Sequence, residues 1–374
     1  MLLPNEPSAF DGGGKNIVVS IRSASTEEHV LDTPKRNKII LVPAALIIGL
    51  VVAIGLPTNW QKIHAWIAPR PLQLQKLSLA VNPYPGSGLP HLAAAKGYFA
   101  DEGLEVSFQP YTSGRDSLKA SLEKQADLAT VADMPVMYAT MKKQPVAIVA
   151  TIFTASRSYG VVARRSSGVV TLADLKDKII GVTSGTDGHF VLGTLLARDR
   201  LLLNQVKLEN LAPEEMQAAL LSGKVDAIST WEPWLGAASR ALGTEAVEFR
   251  SDPGFVIEFN LAGRADWVSA NQGKIQSLLR ALLRAKHFVD EKPKEAHELI
   301  AARMKIDPGT FSTGAANYRF VVQLEQNLLI TLEDQARWAI QNKFSDQTVV
   351  PNFLNAIDMA ALTAVQANAV KIVR

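Results

Sequence analysis

The sequence predicts an α/β protein in which one membrane-spanning helix precedes two globular units. Short β-branched or alternating runs are interleaved with segments of helical period from residue 74 onward, which is typical of α/β proteins. A second series of strands and helices begins near Ser166, and residues 39–56 form an apolar run without a charge. A chain of 374 residues has room for one anchor and two units of ordinary size.

Composition narrows the function. Hydrophobic residues make up 47% and charged residues 20%, as in globular proteins, and the net charge of +3 gives no sign of a nucleic-acid partner. Because the chain has no cysteine, disulfides, thiolate metal sites and cysteine nucleophiles are excluded. The six histidines are scattered without metal-ligand spacing, so we expect neither a metal nor a cofactor.

The N-terminal part is expected to anchor the protein. Residues 1–37 are polar and without period, which predicts a flexible tail. Residues 38–57 are predicted to form a transmembrane anchor, whose apolar run at 39–56 spans about 27 Å as a helix. Three basic residues lie just before the apolar run and the next follows only at Lys62, so the positive-inside rule puts the tail in the cytoplasm. A cleaved signal peptide is the alternative; the lengths of tail and run favour an uncleaved anchor.

The first globular unit follows a proline-containing linker at 58–73. Strands are predicted at 74–81, 104–108, 128–131, 146–151 and 160–163, with helices near 89–98, 113–125 and 133–143. The short connections favour a parallel sheet with helices on its faces.

The second unit is organised around a strand, a hydroxyl- and glycine-rich turn and a helix. A buried strand is predicted at 179–182, the turn at 183–188 and the helix from Phe190 onward. Such a turn directs backbone N–H groups, the positive end of the helix dipole and hydroxyls at one point, which suits an anionic ligand group. The alternative is an ordinary helix cap formed by Ser184, Thr186 or Asp187.

Two further strands bear on the site. The strand at 225–230 ends in Trp231-Glu232, and ligands of open α/β sheets bind beyond the carboxyl ends of strands. The strand at 255–261 is predicted to return to the first unit with Glu258 inside it. An unpaired buried carboxylate is costly, so Glu258 either pairs with an arginine or lysine or binds a cationic ligand group. The remaining chain is predicted to be mostly helical.

Four blocks carry a family resemblance. KGYFADEGLEVSF, YTSGRDSLKASLEKQADLATVADMPVMYA, TLADLKDKIIGVTSGTDGHF and LLSGKVDAISTWEPW resemble the periplasmic solute-binding proteins of the nitrate, sulfonate, taurine and thiamine-precursor group. These proteins feed ATP-driven importers of the ABC type. The resemblance extends over residues 74–265.

The resemblance implies a two-lobed periplasmic-binding-protein-like fold of type II, with a ligand enclosed by hinge closure. Each lobe would be a mainly parallel sheet flanked by helices, with lobe I at 74–164 and 256–374 and lobe II at 165–255. The implied partners are a small-molecule ligand and the permease and ATPase subunits of an ABC importer. The implied location is the bacterial inner membrane, with the N-terminus cytoplasmic and the binding domain periplasmic.

The resemblance also implies a ligand site built from loops of both lobes. Its expected residues are Asn82, Tyr84, Gly86, Ser113, Gly114, Asp133, Met134, Thr154 and Ser156 from lobe I, Ser184, Gly185, Thr186, Asp187, His189, Trp231 and Glu232 from lobe II, and Glu258 on the returning strand. Structural alternatives stay open for several of them: Ser113 and Asp133 as helix N-caps, His189 as a surface or packed histidine, and Tyr84 and Trp231 as packing aromatics.

The predicted function is capture of a small polar organic solute for import. A purely anionic ligand such as nitrate favours arginine or lysine in the cleft, whereas the lobe II loops offer neutral donors and carboxylates. This chemistry favours an aminosulfonate such as taurine, or an aminopyrimidine. One rival is an anchored sensor that signals to a partner chain. The other, an enzyme like the relatives that make the thiamine pyrimidine, is disfavoured because their cysteine-rich motif has no counterpart here.

Overall fold

The computed structural model describes residues 73–251, 255–309, 311 and 317–373. The predicted tail, the predicted anchor and almost all of the predicted linker lie outside these residues, and they stay predictions. Within the described part of the chain, no helix is both long and apolar enough to cross a bilayer. The described residues belong to one compact unit.

Twelve strands and twelve α-helices are formed by the described residues. The strands are β1 (Gln75–Val81), β2 (Leu104–Pro110), β3 (Leu128–Ala132), β4 (Val146–Ser156), β5 (Tyr159–Arg164), β6 (Ile179–Val182), β7 (Lys207–Asn210), β8 (Ala227–Trp231), β9 (Ala246–Arg250), β10 (Val256–Arg264), β11 (Tyr318–Glu325) and β12 (Val370–Lys371). The helices are α1 (Gly88–Ala95), α2 (Tyr98–Asp101), α3 (Gly114–Leu122), α4 (Asp133–Met141), α5 (Asp187–Arg198), α6 (Met216–Ser222), α7 (Trp234–Leu242), α8 (Ala265–Ala270), α9 (Gln272–Glu291), α10 (Pro293–Met304), α11 (Gln326–Gln341) and α12 (Ala360–Gln366).

The strands form two sheets. A seven-stranded sheet has the order β12-β11-β4-β10-β3-β1-β2, and a five-stranded sheet has the order β7-β6-β8-β5-β9. We call the part built on the first sheet lobe I and the part built on the second lobe II. The chain changes from the first sheet to the second between residues 156 and 159, and it returns between 250 and 256. The exact lobe boundaries derived from the resemblance stay a prediction.

Both sheets are mixed, which corrects the expectation of mainly parallel sheets. Five of the ten described strand pairings are antiparallel. Four of these five arise where the chain passes between the lobes, and the fifth pairs β11 with β4 inside lobe I. The returning strand β10 inserts between β3 and β4 and runs against both, while β5 inserts between β8 and β9 in the same manner.

Hydrophobic patterning explains where the strands lie. All five residues of β3 and of β8 are buried, as expected for strands covered on both faces. Strand β11 was not predicted, because the whole region was interpreted as helical. Its sequence nevertheless alternates, and Phe320, Val322 and Leu324 are buried while their neighbours are partly exposed.

The two lobes touch through an aromatic contact. From α5 of lobe II, the rings of His189 and Phe190 lie 5.3 and 5.2 Å from the ring of Trp338 on α11 of lobe I, both edge to face. Gly193 allows this approach, because a Cβ atom there would lie 2.6 Å from the Trp338 Nε1. The lobes are therefore closed on one another at this side.

The close approach of β5 to β9 leads to a prediction about stability. A Cβ atom at Gly160 would lie 2.4 Å from the Phe249 carbonyl oxygen, so the backbone of β9 must shift in Gly160→Ala. We expect this variant to lose about 1–3 kcal/mol of unfolding free energy in urea denaturation. The matched control is Gly273→Ala in α9, which meets nothing within 4 Å and is expected to be neutral or stabilising. Equal stability of both variants would contradict the strand pairing.

Candidate ligand site between the lobes

A small cavity lies between the two lobes. Its volume is about 20 Å³, enough for one water-sized group. The lining residues are Asn82, Tyr84, Gly114, Arg115, Ala132, Pro135 and Phe259 from lobe I and Tyr159, Thr186, Asp187 and Trp231 from lobe II. This small cavity has no room for a larger solute, so a larger solute can enter it only if the lobes separate.

Strand ends position these side chains. The residues after β1, the end of β3, the turn after β6 and the end of β8 all reach the cavity. The sequence prediction that the carboxyl ends of strands meet at the site is consistent with this placement. Of the expected ligand residues, the cavity brings together Asn82, Tyr84, Gly114, Thr186, Asp187 and Trp231.

Two helices begin face to face beside the cavity. Asp133 is the first residue of α4 in lobe I and Asp187 is the first residue of α5 in lobe II, and the two helices contact one another. Both aspartates are buried. The expectation that Asp133 or Asp187 serves as an N-cap is wrong, because the N-cap positions are occupied by Ala132 and Thr186. The Thr186 hydroxyl makes no cap bond either and donates to the Thr183 carbonyl at 2.7 Å.

A glutamine links the two aspartates. Gln335 of α11 donates its amide N–H groups to Asp133 Oδ1 at 2.6 Å and to Asp187 Oδ1 at 3.3 Å. Burial raises the pKa of Asp187 well above its ordinary value, and the charge of the neighbouring Asp133 carboxyl and a hydrogen bond with it raise that pKa further. Asp187 therefore favours its protonated form beside Asp133.

Glu258 completes this group of acids. Its backbone N–H donates to Asp133 Oδ2 at 3.1 Å, its Oε1 accepts from Asn327 Nδ2 at 3.4 Å, and its Oε2 is buried without a partner among the described residues. The alternative that Glu258 pairs with an arginine or lysine is wrong, because no cationic side chain in the described part of the chain lies within ion-pair distance. Burial, followed by the Asp133 charge, raises the pKa of Glu258 to about 8.

Arg115 is a site residue that the sequence interpretation missed. It lines the cavity, donates from Nη1 to the Ser184 carbonyl oxygen of lobe II at 2.8 Å, and lies 3.3 Å from Asp116 Oδ1. The sequence interpretation weighed the charges of the lobe II loops only, and Arg115 adds a cation from lobe I. The signal was present in the sequence, since Arg115 directly follows the predicted Ser113-Gly114.

Aromatic rings form one wall of the cavity. Tyr84 is fully buried, with ring centroids 5.0 Å from Phe259 and 6.0 Å from Tyr159, and its hydroxyl lies 2.9 Å from Ser158 Oγ. Tyr159 in turn packs against Trp231 at 5.8 Å. Burial raises the pKa of both tyrosines, so they stay neutral hydrogen-bonding phenols.

Several expected residues lie away from the cavity. Ser113 caps α3, accepting from the Asp116 N–H at 3.2 Å, as its structural alternative predicts. Met134 is buried in the core, Thr154 lies opposite Glu258 in the β4–β10 pairing, and Gly86 is packed beneath the Phe259 ring. Ligand roles for these residues stay predictions.

Other expected residues line two larger cavities, one of which shares Arg115 and Pro135 with the small cavity. Ser184, Gly185 and His189 border a groove of about 670 Å³ that α3 and α4 also line. The His189 nitrogens have no hydrogen-bond partner among the described residues, and burial lowers the pKa of this histidine to about 4. His189 is thus a neutral, packed histidine in the closed arrangement.

Glu232 is held by an ion pair. Its Oε1 lies 2.8 Å from Arg250 Nη1, and its Oε2 accepts from the Gly236 N–H at 3.0 Å. Glu232 lines a cavity of about 500 Å³ together with Ser156. The cavity beside Asp187 does not include it.

The buried Glu258 carboxyl leads to a prediction about pH dependence. Because its pKa is raised in the folded protein, the folded state binds more protons than the unfolded state between about pH 4.5 and pH 8, and stability falls as the pH rises through this window. Glu258→Gln removes this loss. We expect its gain in melting temperature over the wild type to be small at about pH 5 and larger at about pH 9.

The control for this comparison is Glu214→Gln, which changes an exposed carboxylate. Its melting temperature is expected to follow the wild type at both pH values. A gain in Glu258→Gln that is equal at both pH values would contradict the raised pKa.

The fold and sequence match known proteins. The alkanesulfonate-binding protein SsuA of Xanthomonas axonopodis, bound to MOPS, is 18% identical, covers 78% of this chain and 100% of its own, and has a TM-score of 0.66. The nitrate-binding protein NrtA of Synechocystis is 15% identical, covers 79% of this chain and 89% of its own, and has a TM-score of 0.63. The expected periplasmic-binding-protein fold is thus confirmed.

Sequence relatives agree with the predicted resemblance. A putative binding protein of Brucella abortus is 23% identical over 237 residues, which are 63% of this chain and 73% of the relative. A putative aliphatic sulfonates-binding protein of Escherichia coli is 24% identical over 200 residues, which are 54% of this chain and 62% of the relative. A family model described as NMT1/THI5 like matches residues 90–296, more than half of the sequence, and the chain therefore belongs to the NMT1/THI5-like family.

Proposed function

We propose that this protein is the solute-binding component of an ABC-type importer. It captures a small polar organic solute between its lobes and presents it to a permease that an ATPase drives. Family membership, the fold and the names of the sulfonate- and nitrate-binding neighbours support this proposal. The predicted N-terminal anchor would place the binding lobes on the periplasmic side of the bacterial inner membrane.

One observation carries the proposal most directly: both lobes contribute side chains to a closed cavity at the carboxyl ends of their strands. Arg115 of lobe I reaches the Ser184 carbonyl of lobe II across the cleft, and Asp187 of lobe II reaches Gln335 of lobe I. Such contacts form on closure and break on opening, which is the behaviour required for hinge capture of a ligand.

The charges of the cleft favour a zwitterionic ligand. Arg115 offers a guanidinium that can bind a sulfonate or carboxylate through two N–H groups, and Asp187 offers a carboxyl for an amine. An aminosulfonate such as taurine has both groups, and an aminopyrimidine has the amine. Nitrate lacks a group for the carboxyl. We propose binding without catalysis, since the cysteine motif of the synthase alternative is absent from the sequence.

Isothermal titration of the protein with taurine, alkanesulfonates, nitrate, bicarbonate and aminopyrimidines tests the function. At least one of them should bind. At a hundredfold excess over its dissociation constant, the bound solute should add about 2.7 kcal/mol to the unfolding free energy and so raise the melting temperature. Binding of none of these solutes would move the proposal toward the sensor alternative.

Arg115→Gln tests the part of the site that is proposed to bind the anionic group of the ligand. We expect its affinity for a sulfonate to fall by a factor of about 10–100, because a charge-assisted hydrogen bond is lost. Arg337→Gln is the matched control, since Arg337 lies on the surface of α11 and pairs only with Glu333 and Asp334 among the described residues. Unchanged sulfonate affinity in Arg115→Gln would remove Arg115 from the site.

A further inference from the structure

No cationic side chain of the described chain forms an ion pair with the acids beside the cavity, and Arg115, which lines the same cavity, is paired with Asp116. Asp133, Asp187 and Glu258 are all buried, and none of them takes part in an ion pair within the described residues. The positive ends of α4 and α5 supply about half a charge each. Three ionised carboxylates would therefore exceed the positive charge of these helix ends by about two units.

Two buried oxygens beside these acids lack partners. Gln335 is fully buried, and while its amide nitrogen donates to both aspartates, its Oε1 accepts no hydrogen bond from any described residue. The orientation of this amide is set by its neighbours, because both aspartates accept and only the nitrogen can donate. Glu258 Oε2 is likewise unpartnered. Unsatisfied buried acceptors are costly, and a donor supplied from outside would satisfy them.

We infer that Asp133, Asp187 and Gln335 form a subsite for the protonated amine of the ligand. This inference rests on the proposed solute-binding function and names the residues that bind the cationic group of the ligand. A primary ammonium carries three N–H donors and one positive charge. The subsite supplies two carboxyls and an amide oxygen, one acceptor for each of these three donors.

Of the three residues, Asp187 borders the small cavity, and Gln335 connects it to Asp133 by hydrogen bonds. The cavity that Asp187 borders has a volume of about 20 Å³, which is the size of one small polar group. The described residues contain no group of three or more acidic or histidine side chains arranged to hold a metal ion. An organic ammonium, which needs hydrogen-bond acceptors and not a closed coordination shell, suits the arrangement better.

The subsite is assembled only when the lobes close. Asp133 and Gln335 belong to lobe I and Asp187 belongs to lobe II, so an amine bound by all three lies across the interface. Without a cation, closure brings two carboxyls together and requires a bound proton. The ammonium replaces that proton, so that recognition of the amine and closure of the lobes are coupled.

Matched ligand pairs test the inference on the full-length protein. Taurine and 2-hydroxyethanesulfonate differ only in an ammonium against a hydroxyl, and 5-aminomethyl and 5-hydroxymethyl 4-amino-2-methylpyrimidine differ in the same way. We expect the ammonium member of at least one pair to bind at least about tenfold more tightly in isothermal titration. Its binding should release protons, seen as a dependence of the enthalpy on the buffer. Equal affinities within both pairs, or no binding of either amine, would overturn the inference.

Aspartate variants test which residues cause the preference for the amine ligand. Asp187→Asn and Asp133→Asn should reduce the preference for the amine by about tenfold or more, because each removes one acceptor charge. Asp334→Asn is the control; Asp334 neighbours Gln335 on α11 but is exposed and pairs with Arg337. If a variant does not fold, the ligand pairs and the proton release measured with the wild-type protein still test the inference.

The outcome separates this inference from the proposed function. Binding of alkanesulfonates or nitrate without any preference for amines would overturn the ammonium subsite and leave a solute-binding protein. Binding of no solute at all would remove both. A preference for amines that persists in Asp187→Asn and Asp133→Asn would place the cation elsewhere and overturn the assignment to this cluster.

Discussion

The contact between two buried aspartates at facing helix ends is the constraint on which the closed structure depends. Asp133 and Asp187 come from different lobes, and Gln335 holds both. Closing the cleft places two acids together in a region with little water, where like charges repel strongly. Closure therefore costs free energy unless a proton or a cation enters. The identity of the group in the cleft thus decides how readily the lobes stay together.

An apolar contact opposes this repulsion. Trp338 of lobe I packs against the rings of His189 and Phe190 of lobe II, and Gly193 keeps the helices close. Such ring contacts stabilise by roughly 0.5–1.5 kcal/mol each beyond the burial of their area. The same closed arrangement therefore combines an unfavourable electrostatic term with a favourable packing term. A balance of this kind permits a ligand of moderate affinity to shift the equilibrium between open and closed lobes.

Much of the fold was predictable from the sequence because strands carry a local signal. The runs that became β1, β3, β6 and β10 were found from alternation or from β-branched residues, whereas β11 was hidden among segments of helical period. Tyr84, Thr186, Asp187 and Trp231 were predictable since each follows or ends a strand. Gln335 was not, because it reaches the site from a helix about 150 residues beyond Asp187. Whether a cationic side chain lies beside Glu258 likewise depends on tertiary packing, which the local sequence does not indicate.

The insertion of β10 between β3 and β4 has a consequence for the order in which the chain folds. The seven-stranded sheet lacks one of its central strands until residues 256–264 have been synthesised, whereas all strands of the five-stranded sheet lie between Tyr159 and Arg250. During synthesis from the N-terminus, lobe II is complete in sequence before the centre of lobe I can close. We therefore expect the β3 and β4 edges of nascent lobe I to stay unpaired until β10 has been synthesised, by which time all strands of lobe II are available for folding.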